Sequence, residues 1–144
     1  MRKEIKIDKK LVIAGGSSHS QAYFNQIKEM TKDDDTIIMT DFVSGQTLHE
    51  LFSNSLLYIL PSDIEGMPMS LLEAMSYGNC CLVSNIPENL EIINDACYSF
   101  EKGNVEDLKE KLKYIINSNI CLHKEAVVNY TWESVVDECL EVYK

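Results

Sequence analysis

With 144 residues, 45% of them hydrophobic and 25% charged, the chain is sized for one compact soluble domain, 1–144, and is too short for two ordinary ones. A formal charge of −10 with no offsetting stripe of Lys and Arg repels a phosphate backbone and excludes nucleic acid as a partner. No apolar run approaches the ~18 residues that span a bilayer, and MRKEIKIDKKLVIAGG lacks the uninterrupted apolar core of a signal peptide, so a cytoplasmic protein is expected.

Lys10 to Ala14 is a short, β-branched run that stops at Gly15-Gly16-Ser17-Ser18, which reads as a buried strand followed by a loop. From about Ser20 to Thr31, Tyr23, Ile27 and Met30 recur at helical spacing and predict an amphipathic helix, ended by KDDD. Thr36 to Met39 is a second strand, Asp41 to Gly45 the loop after it, and Gln46 to Asn54 a helix with Leu48, Leu51 and Phe52 on one side. Leu56 to Leu60 is a third strand broken by Pro61, and a third helix ends at Gly78. Cys80 to Ser84 and Cys97 to Phe100 read as strands, Glu88 to Ile93 as a short helix, and Val105 to Ile116 as a helix with Leu108, Leu112 and Ile115 in register. The tail from about Cys121 is helical, with Trp132, Val136 and Leu140 spaced by four and Trp132 and the methionines read as core packing. Such alternation predicts an α/β fold: a Rossmann-like parallel sheet with helices on both faces.

Five cysteines, Cys80, Cys81, Cys97, Cys121 and Cys139, form no CxxC pair and no zinc spacing with histidine, and read as reduced, mostly buried thiols. Cys80 and Cys81, adjacent on one strand, point to opposite faces. No acidic cluster with metal spacing occurs either, so no metal is expected.

In open parallel sheets ligands bind at the carboxyl ends of the strands, which selects the loops Gly15 to His19, Asp41 to Gly45, Ser62 to Met69 and Asn85 to Asn89. The stretch DIEGMPMSLLEAMSYG in the third of them holds Glu65 and Glu73 around Gly66 and Pro68. Pro68 suits the first turn of the helix, where its missing N–H costs nothing, and leaves the amides of Met69, Ser70 and Leu71 free for a phosphate or diphosphate. Gly66 permits close backbone approach. Each glutamate is repelled by a phosphate and accepts instead from hydroxyls, as a ribose or hexose diol presents them. A ligand with phosphates in the middle and diols on both sides fits, a nucleotide-sugar among several phosphorylated candidates. Both acids also have a purely structural explanation: Glu73 as a carboxylate favoured by the helix dipole, Glu65 as a solvated loop residue. Ser17 and Ser18 serve equally as helix caps or as ligands, and Asn85, Glu88 and Asn89 as cleft lining or loop caps. GGSSH has neither a dinucleotide fingerprint nor a P-loop lysine.

EGMPMSLLEAMSYG, preceded by LYILPSDI and followed by CCLVSNIPEN, resembles the C-terminal, donor-binding domain of family 4 retaining glycosyltransferases, enzymes of the GT-B fold. KLVIAGGSSH, DFVSG and the closing TWESVVDECLEVY extend the resemblance over nearly the whole chain. It implies that Glu65 serves the transfer chemistry by hydrogen-bonding hydroxyls of the donor sugar, and that Gly66, Met67, Pro68, Met69 and Ser70 form the loop whose amides meet the sugar and diphosphate. It further implies that Glu73 holds the ribose, that Phe42 and Val43 border the base, and that Gly16 and His19 lie near the donor. No cofactor is implied: the nucleotide-sugar is a substrate, with UDP preferred to GDP, and the product belongs to glycan or polysaccharide biosynthesis.

Family members carry a strand and helix with a Gly-Arg and a Lys ahead of the counterpart of KLVIAGG, and this basic pair neutralises the departing diphosphate. The segment MRKEIKIDK holds no such unit, and Arg2 and Lys3 do not replace it. An acceptor-binding N-terminal domain, which would also carry any peripheral membrane association, is expected outside these residues. Without the basic pair the chain alone is expected to catalyse poorly, and the first and third strands to be left with a gap between them. The alternative is a non-catalytic module that binds a nucleotide-sugar or a partner.

Overall fold

The computed structural model describes residues 8–16, 20–93, 98–118 and 131–143. Strands and helices alternate in the order β1 (Leu11–Ile13), α1 (Gln21–Thr31), β2 (Ile37–Met39), α2 (Gly45–Ser53), β3 (Tyr58–Leu60), α3 (Met69–Ser76), β4 (Cys81–Ser84), α4 (Pro87–Ile92), β5 (Ser99–Phe100), α5 (Val105–Ser118) and α6 (Trp132–Val142). All strand pairs are parallel, giving the α/β architecture of parallel sheets flanked by helices that the alternation predicts. The ladders form two sheets, β1-β2 and β3-β4-β5, and the chain divides into two compact units, Met1–Leu51 and Phe52–Lys144.

In the first unit Leu11, Val12 and Ile13 pair with Ile37, Ile38 and Met39, and Thr40 N–H extends the ladder by donating to the Ile13 carbonyl at 3.0 Å. The turn before β2 is set by Asp34, whose Oδ1 accepts from Thr36 N–H at 3.0 Å, so the acidic run that ends α1 also aims the next strand. Two expectations are corrected here. The strand expected to be buried keeps Leu11 and Val12 at 38% and 36% exposure, because two strands with one crossover helix cannot cover both faces of a ladder. The inward side of α1 is Phe24, Ile27 and Thr31, whereas Tyr23 and Met30 are exposed; the apolar stripe is rotated by one residue from the spacing first read.

In the second unit β4 lies between β3 and β5, and all four of its residues are buried. Leu82 and Val83 are fully inaccessible, as the unbroken apolar run of a central parallel strand requires. Leu71, Ala74 and Met75 of α3, Ile92 of α4 and Leu112 and Ile115 of α5 complete the core. Each large side chain removed from water there contributes about 1.5–3 kcal/mol. Phe52, at the end of α2, stacks on Tyr77 with ring centroids 5.4 Å apart and meets Tyr58 at 5.9 Å. α3 stops in a Schellman motif: Gly78 has φ +75, its N–H donates to the Met75 carbonyl, and Asn79 N–H donates to that of Ala74. α6 is closed by a capping box in which Ser134 N–H donates to Thr131 Oγ1 and Thr131 N–H to Ser134 Oγ. Val136 and Leu140 of α6 are exposed, so this stripe is not core packing among the described residues; the Trp132 side chain lies outside them. Of the thiols, Cys80 and Cys81 are buried as expected and Cys139 is exposed, because its helix turns that side to solvent; Cys97 and Cys121 lie outside the described residues.

Candidate functional site

β3 ends at Leu60, where Pro61 cannot donate to a ladder, and the chain turns into the loop that leads to α3. Hydrogen bonds hold the start of this loop. Ser62 Oγ donates to Glu65 Oε1 at 2.6 Å, and the Ser62 carbonyl accepts from Ser84 Oγ at 2.5 Å. Lys102 Nζ donates to the Asp63 carbonyl at 3.1 Å, while Lys102 N–H donates to Asn85 Oδ1 at 2.9 Å. The loops after β4 and β5 therefore brace the loop after β3. Glu65 is half-buried with one oxygen engaged, so it is not a solvated loop residue; its Oε2 has no partner among the described residues and remains able to accept hydroxyls.

The entry to α3 differs from expectation. Pro68 is the N-cap of the helix and not its first residue: φ −76 and ψ 72 make it the centre of an inverse γ-turn, in which Met69 N–H donates to the Met67 carbonyl at 2.8 Å. Leu71 and Leu72 N–H both donate to the Pro68 carbonyl, at 3.0 and 3.2 Å. The amides of Met69 and Leu71, expected to be free, are thus occupied, because the γ-turn and a tight first helical turn capture them. The amides of Gly66, Met67 and Ser70 have no acceptor among the described residues, and these three form the donor set available to an anion. A Cβ added at Gly66 would meet nothing within 4 Å, so the loop is open on that side.

Tyr58 joins β3 to the first turn of α3. Its hydroxyl donates to Ser70 Oγ at 2.8 Å. Burial raises the phenol above its ordinary pKa; the Ser70 hydrogen bond opposes this, and negative charge at Cys81, Glu65 and Glu73 adds to it. Glu73 is half-buried on α3. In the first unit, Gly16 and Phe42 are brought together: a Cβ on Gly16 would lie 3.6 Å from the Phe42 amide nitrogen, an ordinary contact. Phe42 is 82% exposed, Val43 is half-buried, and Ser17, Ser18 and His19 lie outside the described residues. Among the described residues no group of His, Cys, Asp and Glu is arranged to hold a metal ion, and no helix is long and apolar enough to cross a membrane.

Sequence reasoning missed Ser62, Tyr58, Ser84 and Lys102. The Ser-x-x-Glu spacing was a signal for Ser62, since short hydroxyl side chains bond locally in loops. Extending the strand-end rule to the fifth strand would have included Lys102. Nothing local pairs Tyr58 with Ser70.

The family described as "Glycosyl transferases group 1" matches residues 1–131. The chain belongs to the group 1 glycosyltransferases. An uncharacterised glycosyltransferase of Methanocaldococcus jannaschii is 26% identical over 147 aligned positions, which cover 94% of this group 1 glycosyltransferase chain and 37% of the relative. An N,N'-diacetylbacillosaminyl-diphospho-undecaprenol alpha-1,3-N-acetylgalactosaminyltransferase of Campylobacter jejuni is 35% identical over 69 residues, 46% of this chain and 18% of that enzyme. The crystal structure of a glycosyltransferase from Rickettsia africae superposes with a TM-score of 0.83 at 20% identity, covering 99% of this chain and 41% of the other. The fold is that of GT-B glycosyltransferases, and the chain spans well under half the length of these relatives.

Proposed function

We propose that this group 1 glycosyltransferase chain is the donor-binding part of a family 4 retaining enzyme that moves a sugar from a nucleoside-diphosphate sugar, UDP in preference to GDP, to a glycan acceptor. The observation that carries this reading is the half-buried Glu65, one oxygen held by Ser62 and the other open, beside a loop with three unengaged amides. Glu65 Oε2 accepts from hydroxyls of the donor sugar, the amides of Gly66, Met67 and Ser70 meet the diphosphate, and Glu73 accepts from the ribose. Phe42 and Val43 keep their assignment to the base, and Gly16 and His19 theirs to the donor.

In a front-face displacement the bond to the leaving diphosphate breaks as the acceptor hydroxyl oxygen attacks the same side of the sugar, charge develops on the diphosphate oxygens, and the departing diphosphate takes the acceptor's proton. Amides aimed at those oxygens stabilise that charge in place, yet fixed cations supply more of it. The acceptor, those cations and any membrane association belong to portions beyond these residues in this reading, as the coverage of the relatives supports, and the enzyme works in the cytoplasm. This chain alone is therefore expected to bind donor and to give negligible transfer to a panel of acceptors.

The test is an NMR titration of the labelled chain with UDP, GDP, UDP-glucose, UDP-N-acetylglucosamine and GDP-mannose. Amide shifts at Gly66, Met67, Ser70 and Glu73 support the reading, and silence toward every nucleotide overturns it. Donor binding with no transfer, even when an acceptor-binding portion is supplied, would favour a non-catalytic module.

A further inference from the structure

The bond from Ser62 to Glu65 is the last in a chain that starts in the core. Asn89, fully buried on α4, donates through Nδ2 to the carbonyl and the hydroxyl oxygen of Ser84, at 3.1 and 3.2 Å. With its lone pairs facing Asn89, the Ser84 hydroxyl has its proton directed at the Ser62 carbonyl, 2.5 Å away. Ser84 is itself 1% exposed and fixed on the central strand β4. Ser62 is thereby held through its backbone, and its own hydroxyl is left to hold Glu65. The Asn89 amide gives its N–H groups to Ser84 and each serine hydroxyl gives its one proton toward the loop, so the chain has a direction: core amide, core hydroxyl, loop carbonyl, loop hydroxyl, carboxylate.

We propose that Ser62 is a positioning residue for the donor sugar: it fixes one oxygen of Glu65 so that the other is presented to the sugar hydroxyls, and Ser84 and Asn89 set Ser62 itself. The inference rests on the reading of Glu65 as a sugar ligand, but the positioning has a readout of its own. An unheld glutamate on a loop samples several rotamers and must be ordered when a sugar binds; one already held gives up less side-chain freedom. The effect should fall on the sugar more than on the nucleotide, because Glu73 lies on α3 and Ser62 Oγ is bonded to Glu65.

The experiment compares the full chain with Ser62→Ala, Ser62→Thr and Ser84→Ala. Without ligand, three-bond couplings report the Glu65 side chain; a single rotamer is expected in wild type and Ser62→Thr, and averaging in Ser62→Ala. Equal averaging in wild type and Ser62→Ala overturns the proposal. With ligand, calorimetry measures Kd for UDP, GDP and whichever of UDP-glucose, UDP-N-acetylglucosamine and GDP-mannose binds wild type most tightly. Ser62→Ala is expected to raise Kd for the sugar conjugate about five- to tenfold and to leave that of the parent diphosphate within about twofold, with Ser62→Thr restoring the difference. Equal weakening of both ligands, or no rescue by threonine, overturns the proposal, since a merely structural defect would behave that way. Binding of none of these nucleotides by wild type would overturn the donor reading, while the rotamer comparison still decides whether Ser62 positions Glu65. Ser84→Ala, which keeps the Ser62 hydroxyl, should give intermediate averaging; averaging no different from wild type removes Ser84 from the chain of control.

Discussion

The phenol of Tyr58 donates a 2.8 Å hydrogen bond to Ser70 Oγ, twelve positions further along, and so pins the start of β3 to the first turn of α3. Tyr58→Phe removes that bond and is expected to destabilise the fold by about 0.5–1.5 kcal/mol, read from urea midpoints. Because burial raises the phenol's pKa in the folded state, its contribution is fully present below the unfolded value of about 10 and is lost as pH rises through the folded value. Wild type should therefore lose stability more steeply than Tyr58→Phe above about pH 10, and parallel pH curves would contradict this.

Glu73→Ala is expected to weaken nucleoside diphosphate binding by about 1–3 kcal/mol, the scale of charge-assisted hydrogen bonds to two hydroxyls. Calorimetry with UDP and GDP decides it. Equal affinity of variant and wild type would remove Glu73 from the ribose.

Donor binding is expected to persist in EDTA, since amides and carboxylates suffice in the proposed site. A large loss of affinity on chelation, measured by the same calorimetry, would require a bridging cation.

Gly66→Ala separates folding from binding. The added methyl meets no atom within 4 Å, so thermal stability should stay within about 0.5 kcal/mol of wild type. If the donor approaches the backbone there, affinity for the sugar conjugate falls all the same. Unchanged affinity would place the ligand elsewhere.

Leu82→Ala reports on the core. The side chain is fully buried on the central strand, and a loss of about 2–5 kcal/mol is expected by chemical denaturation. Gly78→Ala, at φ +75 in the Schellman motif, should cost about 1 kcal/mol through backbone strain.

The strands and helices were legible because apolar period and Gly/Pro punctuation are local. Leu108, Leu112 and Ile115 face inward as their spacing dictates, and Gly78 ends its helix where a C-terminal glycine should. The rotation of α1 was not legible: Tyr23 and Phe24 are adjacent aromatics, and which of them turns inward is decided by packing. At the site, Glu65 and Glu73 were visible as an acidic pair on a loop and helix. The loss of the Met69 and Leu71 amides was not, since it follows from one dihedral of Pro68. Tyr58, Ser84 and Lys102 reach the loop from distant positions, and pairings of that kind leave no periodic trace.

The bond from Lys102 Nζ to the Asp63 carbonyl crosses 39 positions of sequence. The motif around Glu65 therefore leaves the ribosome before the residue that braces it, and a nascent chain ending short of β5 carries the complete signature without its working posture. The held posture of the loop is therefore expected only once β5 has been made and has closed against β4, and not with the motif itself.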